Sequence, residues 1–360
     1  MNKSICIWFT IGGILILLGA VLFCLTACSA GFNFGNIFGS ATEEITLVFT
    51  DDFEGISIDT TTADLDFCLT DDGSCKVVAT DEKGINYSAN VEDGVLKISA
   101  KNDRKWYEKI FNIGFISSLT VYLPEAEYES LVINELTGNI NVPAYLRFGS
   151  ADIKLSTGKL NYYAETLGSI SVVGSTGDVS IECRCTGAVD VNISTGNLLL
   201  NGIESAADIN VEVSTGDVKI VNSVCNSLNI YGTTADFEVQ SVTVAENVSM
   251  KNSTGKTSLT NFTCNNLTSE ANTGDLSMTD VIARGSLTIE RSTGDVRFDS
   301  CDAKDIYVTT DTGSVKGTLL TEKLFAPRSN TGKIETPKPS GTGACDITTD
   351  TGNIIISIKQ

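Results

Sequence analysis

A Thr-Gly pair recurs through the second half of this 360-residue chain at intervals of 19 or 20 residues. The glycines of these pairs are Gly138, Gly158, Gly177, Gly196, Gly216, Gly255, Gly274, Gly294, Gly313, Gly332 and Gly352. The one gap of 39 residues equals two intervals and contains a degenerate copy with Ala235 in the glycine position. A period held within one residue over this length predicts a repeat architecture.

Each copy is predicted to contain two short strands that flank a turn. Before Gly216, apolar Ile209 and Val211 alternate with polar residues, and the alternation resumes after the turn at Val218. An apolar residue at every second position is typical of a strand with one buried face. We interpret the glycines as a structural ladder of corners, because glycine tolerates positive φ and close approach of neighbouring backbones.

A single copy has too little apolar surface to fold alone, so neighbouring copies must supply the missing hydrogen bonds and core. The sequence therefore predicts an all-β fold, a parallel β-solenoid (β-helix) of about 12 rungs with a period of 19–20 residues. The handedness of parallel crossovers favours a right-handed winding.

Four segments are expected along the chain. They are an N-terminal membrane anchor over residues 1–31, a short linker over 32–43, an irregular β cap region over 44–130 and the solenoid repeat domain over 131–360. The motif around Ala63 resembles the copy around Ala235, so the cap region is also a candidate for a degenerate start of the solenoid. A cap is expected because an open solenoid end exposes a sheet edge.

The N-terminal segment is predicted to be a transmembrane helix. Residues 5–30 contain no charged side chain, and as a helix they would extend about 39 Å, enough to cross a hydrocarbon layer of about 30 Å. Lys3 would then lie on the cytoplasmic side by the positive-inside rule. We therefore expect a single-pass protein of the cell membrane with an extracellular C-terminal body.

A lipid anchor is the alternative to a retained helix. The run Leu25-Thr26-Ala27-Cys28 resembles a bacterial lipobox, in which the chain is cut before the cysteine and a lipid is attached to Cys28. The long apolar region and the weak basic segment before it favour the retained helix. Both alternatives predict an exported body held at a membrane.

Charge and composition exclude several classes of function. The formal net charge is −20, and Lys3 is the only charged residue before Glu43. A strongly acidic body repels nucleic acid, so no nucleic-acid partner is expected. Histidine is absent, which removes histidine-based triads and zinc sites. We therefore predict no enzymatic activity, no cofactor and no metal site.

The cysteines do not form an obvious disulfide framework. Cys68 and Cys75 flank an Asp-Asp-Gly turn and are the one plausible bridge among the eleven cysteines. Cys225 and Cys264 occupy the same position two rungs apart, which is too far for a disulfide. We interpret the cysteines of the repeat as small buried apolar residues.

Two polar columns accompany the glycine ladder. Asp178, Asp217 and other residues that follow the corner glycines could form a calcium ladder, but the same position is Asn, Lys or Ser elsewhere, which favours a solvated turn. The threonines before the glycines could form an ice-binding face, which needs two flat threonine columns. Their alternation phase instead predicts side chains that point inward or bond along the stack.

One basic and aromatic patch stands out in the acidic protein. It consists of Arg104, Lys105, Trp106 and Tyr107. Such a patch is a candidate for contact with anionic lipid, wall polymer or a partner protein. The alternative is a surface loop that covers one end of the solenoid.

The order of motifs also points to a family. Phe53-Glu54-Gly55-Ile56 and Leu119-Thr120-Val121-Tyr122 follow the apolar segment, and Ser/Asn-Thr-Gly-Asp rungs come after them. This combination resembles the bacterial "putative adhesin" domain of unknown function, a β-strand-repeat family that includes LiaG-like envelope proteins. The resemblance implies a cell-surface repeat protein and carries over no catalytic residues.

Two functional classes follow from these observations. The first is a non-enzymatic, membrane-anchored surface protein, either an adhesin or an envelope scaffold or stress-accessory protein, with envelope proteins or cell-wall glycans as partners. The second is a carbohydrate-binding or polysaccharide-degrading β-helix protein. The uniform rungs favour the first class, since enzymes of this architecture usually carry long inserted loops around a groove.

Overall fold

A computed structural model of the chain describes Gly19 and residues 42–82, 85–102 and 117–359. Within these ranges, no helix is long and apolar enough to cross a membrane. Apart from Gly19, the predicted anchor over residues 1–31 lies outside the described residues, and so does Cys28. The described chain folds into strands joined by short turns.

The strands have the following bounds. The first group is β1 Thr42–Phe49, β2 Gly55–Thr60, β3 Asp64–Leu69, β4 Cys75–Glu82, β5 Ile85–Glu92, β6 Val95–Asn102, β7 Ser118–Leu123, β8 Glu127–Thr137, β9 Ile140–Val142 and β10 Arg147–Thr157. The second group is β11 Leu160–Tyr162, β12 Glu165–Thr166, β13 Ile170–Thr176, β14 Val179–Glu182, β15 Val189–Thr195, β16 Leu198–Asn201, β17 Ile209–Thr215, β18 Val218–Cys225, β19 Leu228–Thr234 and β20 Phe237–Val244. The third group is β21 Asn247–Thr254, β22 Thr257–Cys264, β23 Asn266–Thr273, β24 Leu276–Thr293, β25 Val296–Thr312, β26 Val315–Leu319, β27 Leu324–Thr331, β28 Ile334–Glu335, β29 Ala344–Thr351 and β30 Ile354–Ile358.

The repeat winds as a parallel solenoid. Strands that precede a corner glycine pair in parallel with those of the next rung, as β13 does with β15 and β15 with β17. Strands that follow the corner pair in the same way, as β14 does with β16 and β16 with β18. We call these the before-corner sheet and the after-corner sheet. The predicted all-β parallel solenoid is thus confirmed.

One continuous apolar core fills the inside of the coil. In the before-corner sheet, Ile170, Val189, Ile209 and Leu228 lie one above another and are each fully buried. The polar residues between them face outward, as the period-2 alternation requires. Burial of apolar side chains along the whole stack supplies what a lone rung lacks.

The corner glycines are required for two separate reasons. Ten of the eleven have φ between 133° and 156°, a region that side chains other than glycine rarely adopt. A Cβ on any of the eleven would also overlap the backbone carbonyl oxygen of the adjacent corner in the stack. At Ala235, φ is not positive, so that corner accommodates a methyl group, which is buried.

A second corner, not foreseen from the sequence, lies six residues after the first in several rungs. Its residues have φ between 50° and 74°, and they are Gly202, Asn222, Ser241, Asn261, Asp280 and Ser300. Asn and Asp tolerate this left-handed conformation better than most residues do. The turn directs the chain from the after-corner strand into a short third side of the rung.

The segment before the repeat supplies the first rung of the stack. Strand β2 pairs in parallel with β8, and β3 pairs with β9. The Ala63 corner therefore lies against Gly138, 75 residues further along the chain. Antiparallel pairs β5–β6, β4–β7 and β1–β4 extend the sheets beyond this rung. Among the described residues, β1 and β5 are the outermost strands at this end.

The last two copies are stacked in the reverse of their chain order. Strand β29 lies between β25 and β27, and β30 lies between β26 and β28. The Gly352 corner therefore rests on Gly313, and Gly332 rests on Gly352. The simple order of a solenoid, in which each copy lies over the one before it in the chain, does not hold for these two copies, because residues 336–343 let the chain return and fill the inner position.

This exchange places the rung formed by β27 and β28 at the open C-terminal end. Pro327 lies in β27, and Pro337 and Pro339 follow β28, so this region holds three of the five prolines of the chain. Proline cannot donate a ladder hydrogen bond and blunts an exposed sheet edge. The terminal rung is therefore suited to end the stack.

The plausible disulfide does not form in the structure. Cys68 and Cys75 are both free thiols. Strand β7 lies between their strands, since Tyr122 pairs with Cys68 on one side and with Lys76 on the other. Cys75 also faces the core, whereas Cys68 faces outward. The two sulfurs therefore lie on opposite faces of the sheet.

Substitution of a corner glycine tests the close backbone approach. We expect Gly177→Ala to lower the free energy of unfolding by about 3 kcal/mol, because its φ is 138° and a methyl group would overlap the Gly158 carbonyl oxygen. The matched control is Gly202→Ala, where φ is 74° and nothing lies within 4 Å, with an expected cost of about 1 kcal/mol. Guanidinium unfolding of both variants, followed by circular dichroism, measures the difference; equal costs would contradict the account.

Candidate functional site

The outer surface of the before-corner sheet carries a patch of amide, carboxylate and aromatic side chains. Its six residues, which we call the amide face, are Asp190, Asn192, Asn210, Glu212, Asn229 and Tyr231. They occupy β15, β17 and β19, where the polar phase of the alternation points away from the core. The apolar core residues of the same strands thereby fix the direction in which these side chains project.

Strand register arranges the amide face in two columns. One column runs Asp190, Asn210, Asn229, and the other runs Asn192, Glu212, Tyr231. Neighbouring rungs are about 4.8 Å apart, and side chains two residues apart on one strand are separated by about 7 Å. The columns therefore form a regular grid rather than a collection of loop residues.

Hydrogen bonds along the stack hold these side chains in place. Nδ2 of Asn210 donates to Oδ1 of Asp190 at 2.8 Å, and Nδ2 of Asn229 donates to Oδ1 of Asn210 at 2.8 Å. In the second column, Nδ2 of Asn192 donates to Oε2 of Glu212 at 3.0 Å. Each bond uses one of the two hydrogens of an amide, and the second carboxylate oxygens of Asp190 and Glu212 take no part in these bonds and stay available as acceptors.

The amide face lines a shallow depression of about 360 Å³. Short Asp and Asn side chains form its floor, and the longer Tyr231 and Lys251 stand at one end. Tyr231 is 49 % exposed. A second depression of about 470 Å³ begins on the other side of the same two residues and extends to Glu290 and Asp311. Tyr231 is therefore an exposed aromatic ring between two adjoining depressions.

A wider depression of about 710 Å³ lies on the after-corner sheet. Two ion pairs lie in it: Lys159 lies 3.3 Å from Asp178, and Lys219 lies 2.7 Å from Glu238. Exposed ion pairs of this kind are already neutralised locally and contribute little to stability.

The acidic column after the corner glycines has a structural role. Oδ1 of Asp178 accepts the backbone N–H of Asn197 at 3.1 Å, and Oδ1 of Asp236 accepts that of Lys256 at 2.7 Å. The bond from Asn197 is the main cause that lowers the pKa of Asp178. Across the part of the chain that the structure describes, no group of three or more acidic or cysteine side chains is placed to hold a metal ion.

The threonine column is exposed, so the predicted inward orientation is wrong; the alternative, a bond along the stack, is present between Thr331 and Thr351 at 3.5 Å. Thr176, Thr195 and Thr215 lie at the ends of β13, β15 and β17 with their side chains in solvent. The residue before each of them is also exposed, so the alternation ends one residue before the corner. The chain has started to turn at this point, and the strand phase no longer applies.

The predicted basic and aromatic patch lies outside the described residues. Arg104, Lys105, Trp106 and Tyr107 all fall within residues 103–116. Its proposed role as an interaction patch stays a prediction. The same holds for lipidation at Cys28.

A buried carboxyl group lies at the junction between the first two rungs. Glu135 in β8 is 3 % exposed, and the hydroxyl of Thr60 in β2 donates a hydrogen bond to it. Burial raises the pKa of Glu135 to about 7, with further contributions from nearby Asp59 and Asp64. The carboxyl group is therefore protonated at mildly acidic pH.

Two further buried polar residues stand in the core near the corner. Arg291 is 3 % exposed and donates to the backbone oxygen and the hydroxyl of Ser269, at 3.0 and 2.8 Å. Burial lowers the pKa of Arg291 to about 10. Nε of Arg291 and Oδ1 of Asn252 have no hydrogen-bond partner among the described residues. The sequence did not indicate these interior polar groups.

The stacked rungs, the continuous core and the polar outer faces define a β-solenoid repeat protein. A family model described as Toastrack DUF4097 matches residues 53–240 and 223–360. The chain belongs to this family, whose function is unknown, and the predicted resemblance to a "putative adhesin" domain of unknown function is confirmed. No curated protein matches the chain.

Several solved structures are similar to this chain. A "putative adhesin" from Parabacteroides distasonis is 13 % identical, with a TM-score of 0.37, over 86 % of this chain and 98 % of that chain. A "putative lipid binding protein" from the same species is 15 % identical, with a TM-score of 0.28, over 89 % and 97 %. A "putative cell adhesion protein" from Clostridium sporogenes is 10 % identical, with a TM-score of 0.20, over 89 % and 100 %. Likeness at these TM-scores carries no argument about function.

The sequence contains a signal for the amide face that the repeat analysis missed. Asp190, Asn210 and Asn229 are spaced by 20 and 19 residues, in step with the corner glycines. Amide side chains at an outward position on successive rungs can bond along the stack. The signal is weak because the same column holds Ser171 before this stretch and Ser249 after it.

The buried carboxyl group makes stability depend on pH. The folded-state pKa of Glu135 is about 7, above the unfolded value of about 4.3, so the protonated group supports the fold at low pH and this support is lost as pH rises through 7. We expect Glu135→Gln to remove this dependence and to raise the free energy of unfolding at pH 8 by about 2 kcal/mol.

Denaturant unfolding at pH 5 and pH 8 measures this effect. The control variant is Glu129→Gln, an exposed position in the same strand, where we expect no comparable change. A Glu135→Gln variant that stays as pH-sensitive as the unmodified protein would show that another group is responsible.

Proposed function

We propose that this protein is an exported, membrane-tethered binding protein of the cell surface, of the adhesin or envelope-scaffold type, without enzymatic activity. The observation that carries this proposal is the regular outer face of the solenoid, on which side chains of successive rungs stand in register. A rigid stack with an extended polar face is suited to bind a long or repetitive partner. The charge-free segment over residues 5–30 supports the membrane tether.

The exported location also fits the surface chemistry of the body. The acidic side chains repel the anionic leaflet of a membrane and keep the body in solution. All eight cysteines among the described residues are free, and seven of them are buried. Burial raises the pKa of thiols such as Cys225 to about 12, which keeps them unreactive in an oxidising environment.

Polysaccharide degradation is the competing function. Asp190 and Glu212 lie diagonally across adjacent rungs, at a separation of about 8 Å between Cα atoms by strand geometry. A glycosidase pairs two carboxyl groups over a comparable distance, but one of them must be held protonated as the general acid. Both residues are exposed, and each accepts a hydrogen bond from an asparagine amide. This arrangement favours binding over hydrolysis.

Protease treatment of intact bacterial cells tests the exported topology. We expect an epitope tag placed after Gln360 to be removed by external protease, because the body lies outside the membrane. A cytoplasmic protein in the same cells serves as the control and should stay intact. A tag that is cleaved only after lysis would contradict the proposal.

The type of anchor is tested by substitution of the lipobox cysteine. We expect Cys28→Ala to leave the protein in the membrane fraction at an unchanged mass, because the apolar helix itself holds it. Cys24→Ala, in the same segment, is the matched control. A Cys28→Ala variant that is larger than the unmodified protein, because residues 1–27 are no longer removed, would instead favour the lipid anchor.

Binding is tested by sedimentation of the purified full chain with bacterial envelope preparations. We expect saturable co-sedimentation that persists at high salt, because an acidic body does not bind through bulk electrostatic attraction. Absence of saturable binding to any envelope fraction would contradict the proposed binding role.

A further inference from the structure

The amide face combines features that select one chemical class of ligand. Backbone N–H and C=O groups of β15, β17 and β19 are engaged in the parallel ladders on both sides. A peptide strand therefore cannot add to this surface through its backbone, as it would to a sheet edge. Recognition on this face depends on side chains alone.

The available polar atoms are mostly acceptors. Oδ2 of Asp190, Oε1 of Glu212 and Oδ1 of Asn229 take no part in the bonds along the stack and stay available to accept a hydrogen bond. Such atoms fit a ligand that presents many hydroxyl donors. The bonds along the stack also fix the side chains before a ligand arrives, which lowers the entropic cost of binding.

The charge of the face excludes anionic ligands. Asp190 and Glu212 bring negative charge to it, and the nearest cation, Lys251, lies 3.0 Å from Glu270. A sulfated or uronic polysaccharide would be repelled. A neutral ligand avoids this cost.

Tyr231 supplies the apolar contact that a neutral polyhydroxylated ligand needs. Its ring is 49 % exposed and lies between the two adjoining depressions. Aromatic rings at binding surfaces offer a large rigid contact area at a low entropic cost. The C–H face of a sugar ring can stack on such an aromatic ring while the hydroxyl groups reach the oxygen acceptors beside it.

We propose that the amide face is a binding site for a neutral glycan, with Tyr231 as the stacking platform and Asp190, Glu212 and Asn229 as hydrogen-bond acceptors. The glycan lies along the solenoid axis and crosses Tyr231 from one depression to the other. The rung spacing of about 4.8 Å is similar to the length of one sugar unit in an extended chain. This inference rests on the proposed binding role at the cell surface and names its ligand class.

Titration with two neutral oligosaccharides tests the site directly. The full chain, purified in a zwitterionic detergent that carries no sugar head group, is titrated with chitohexaose and with cellohexaose by calorimetry. We expect saturable binding of at least one of them. We expect Tyr231→Ala to weaken it about tenfold and Tyr231→Phe, which keeps the ring, to leave it within about twofold.

Tyr307 provides the matched control. It is 41 % exposed on the outer face of the same sheet, and it lines neither of the two depressions that meet at Tyr231. Tyr307→Ala should therefore bind as the unmodified protein does. Circular dichroism of each variant checks that the fold is retained, which is expected because both side chains point away from the core.

Several results would overturn the inference. Binding of neither oligosaccharide would do so, and so would equal losses in Tyr231→Ala and Tyr307→Ala. Co-sedimentation with envelopes that survives Tyr231→Ala but is abolished by protease treatment of the envelopes would identify a protein partner instead. In that case the binding role stands and the glycan assignment fails. If the unmodified chain binds neither envelopes nor oligosaccharides, both fail.

Discussion

The close approach of successive corners is the constraint on which the rest of the structure depends. At the glycine corners the backbone of one rung lies so near the next that a methyl group would overlap a carbonyl oxygen, as at Gly177 and Gly255. This contact fixes the offset between rungs and leaves no freedom to slip by one residue. A slip would move every buried aliphatic residue to the solvent face, so the corner ladder and the core enforce the same register.

Register also determines the surface. Because each outward side chain stands directly above its counterpart in the neighbouring rung, polar residues bond along the stack, as Asn210 does with Asp190. In the acidic column after the corner glycines, the bond along the stack goes to the backbone instead: Oδ1 of Asp236 accepts a backbone N–H from the next rung. Similar side chains thus support the fold at the corner and form a candidate binding surface on the flat face. Only their position in the rung separates the two roles.

The sequence predicts what is periodic and misses what depends on proximity in space. The spacing of Gly138 to Gly352 predicts the parallel solenoid and the corners, because both repeat in every rung. The exchange of the last two rungs could not be predicted, since Gly332 and Gly352 fit either stacking order by spacing alone. The absence of a disulfide between Cys68 and Cys75 could not be predicted either, because it results from strand β7, which lies between their two strands. The amide face was missed because its column is amide-rich over only a few rungs.

Function in a repeat protein should lie where the repeat is broken without loss of the fold. Inward positions of the solenoid tolerate few changes, and the polar exceptions there, such as Glu135 and Arg291, carry altered pKa values as a consequence of burial. Outward positions are not restricted by packing, so side chains there can vary without cost to the stack. A run of short amide residues next to an exposed tyrosine is such a local departure from an otherwise uniform surface. For this reason the amide face, rather than the regular corner ladder, is the place where ligand specificity is expected.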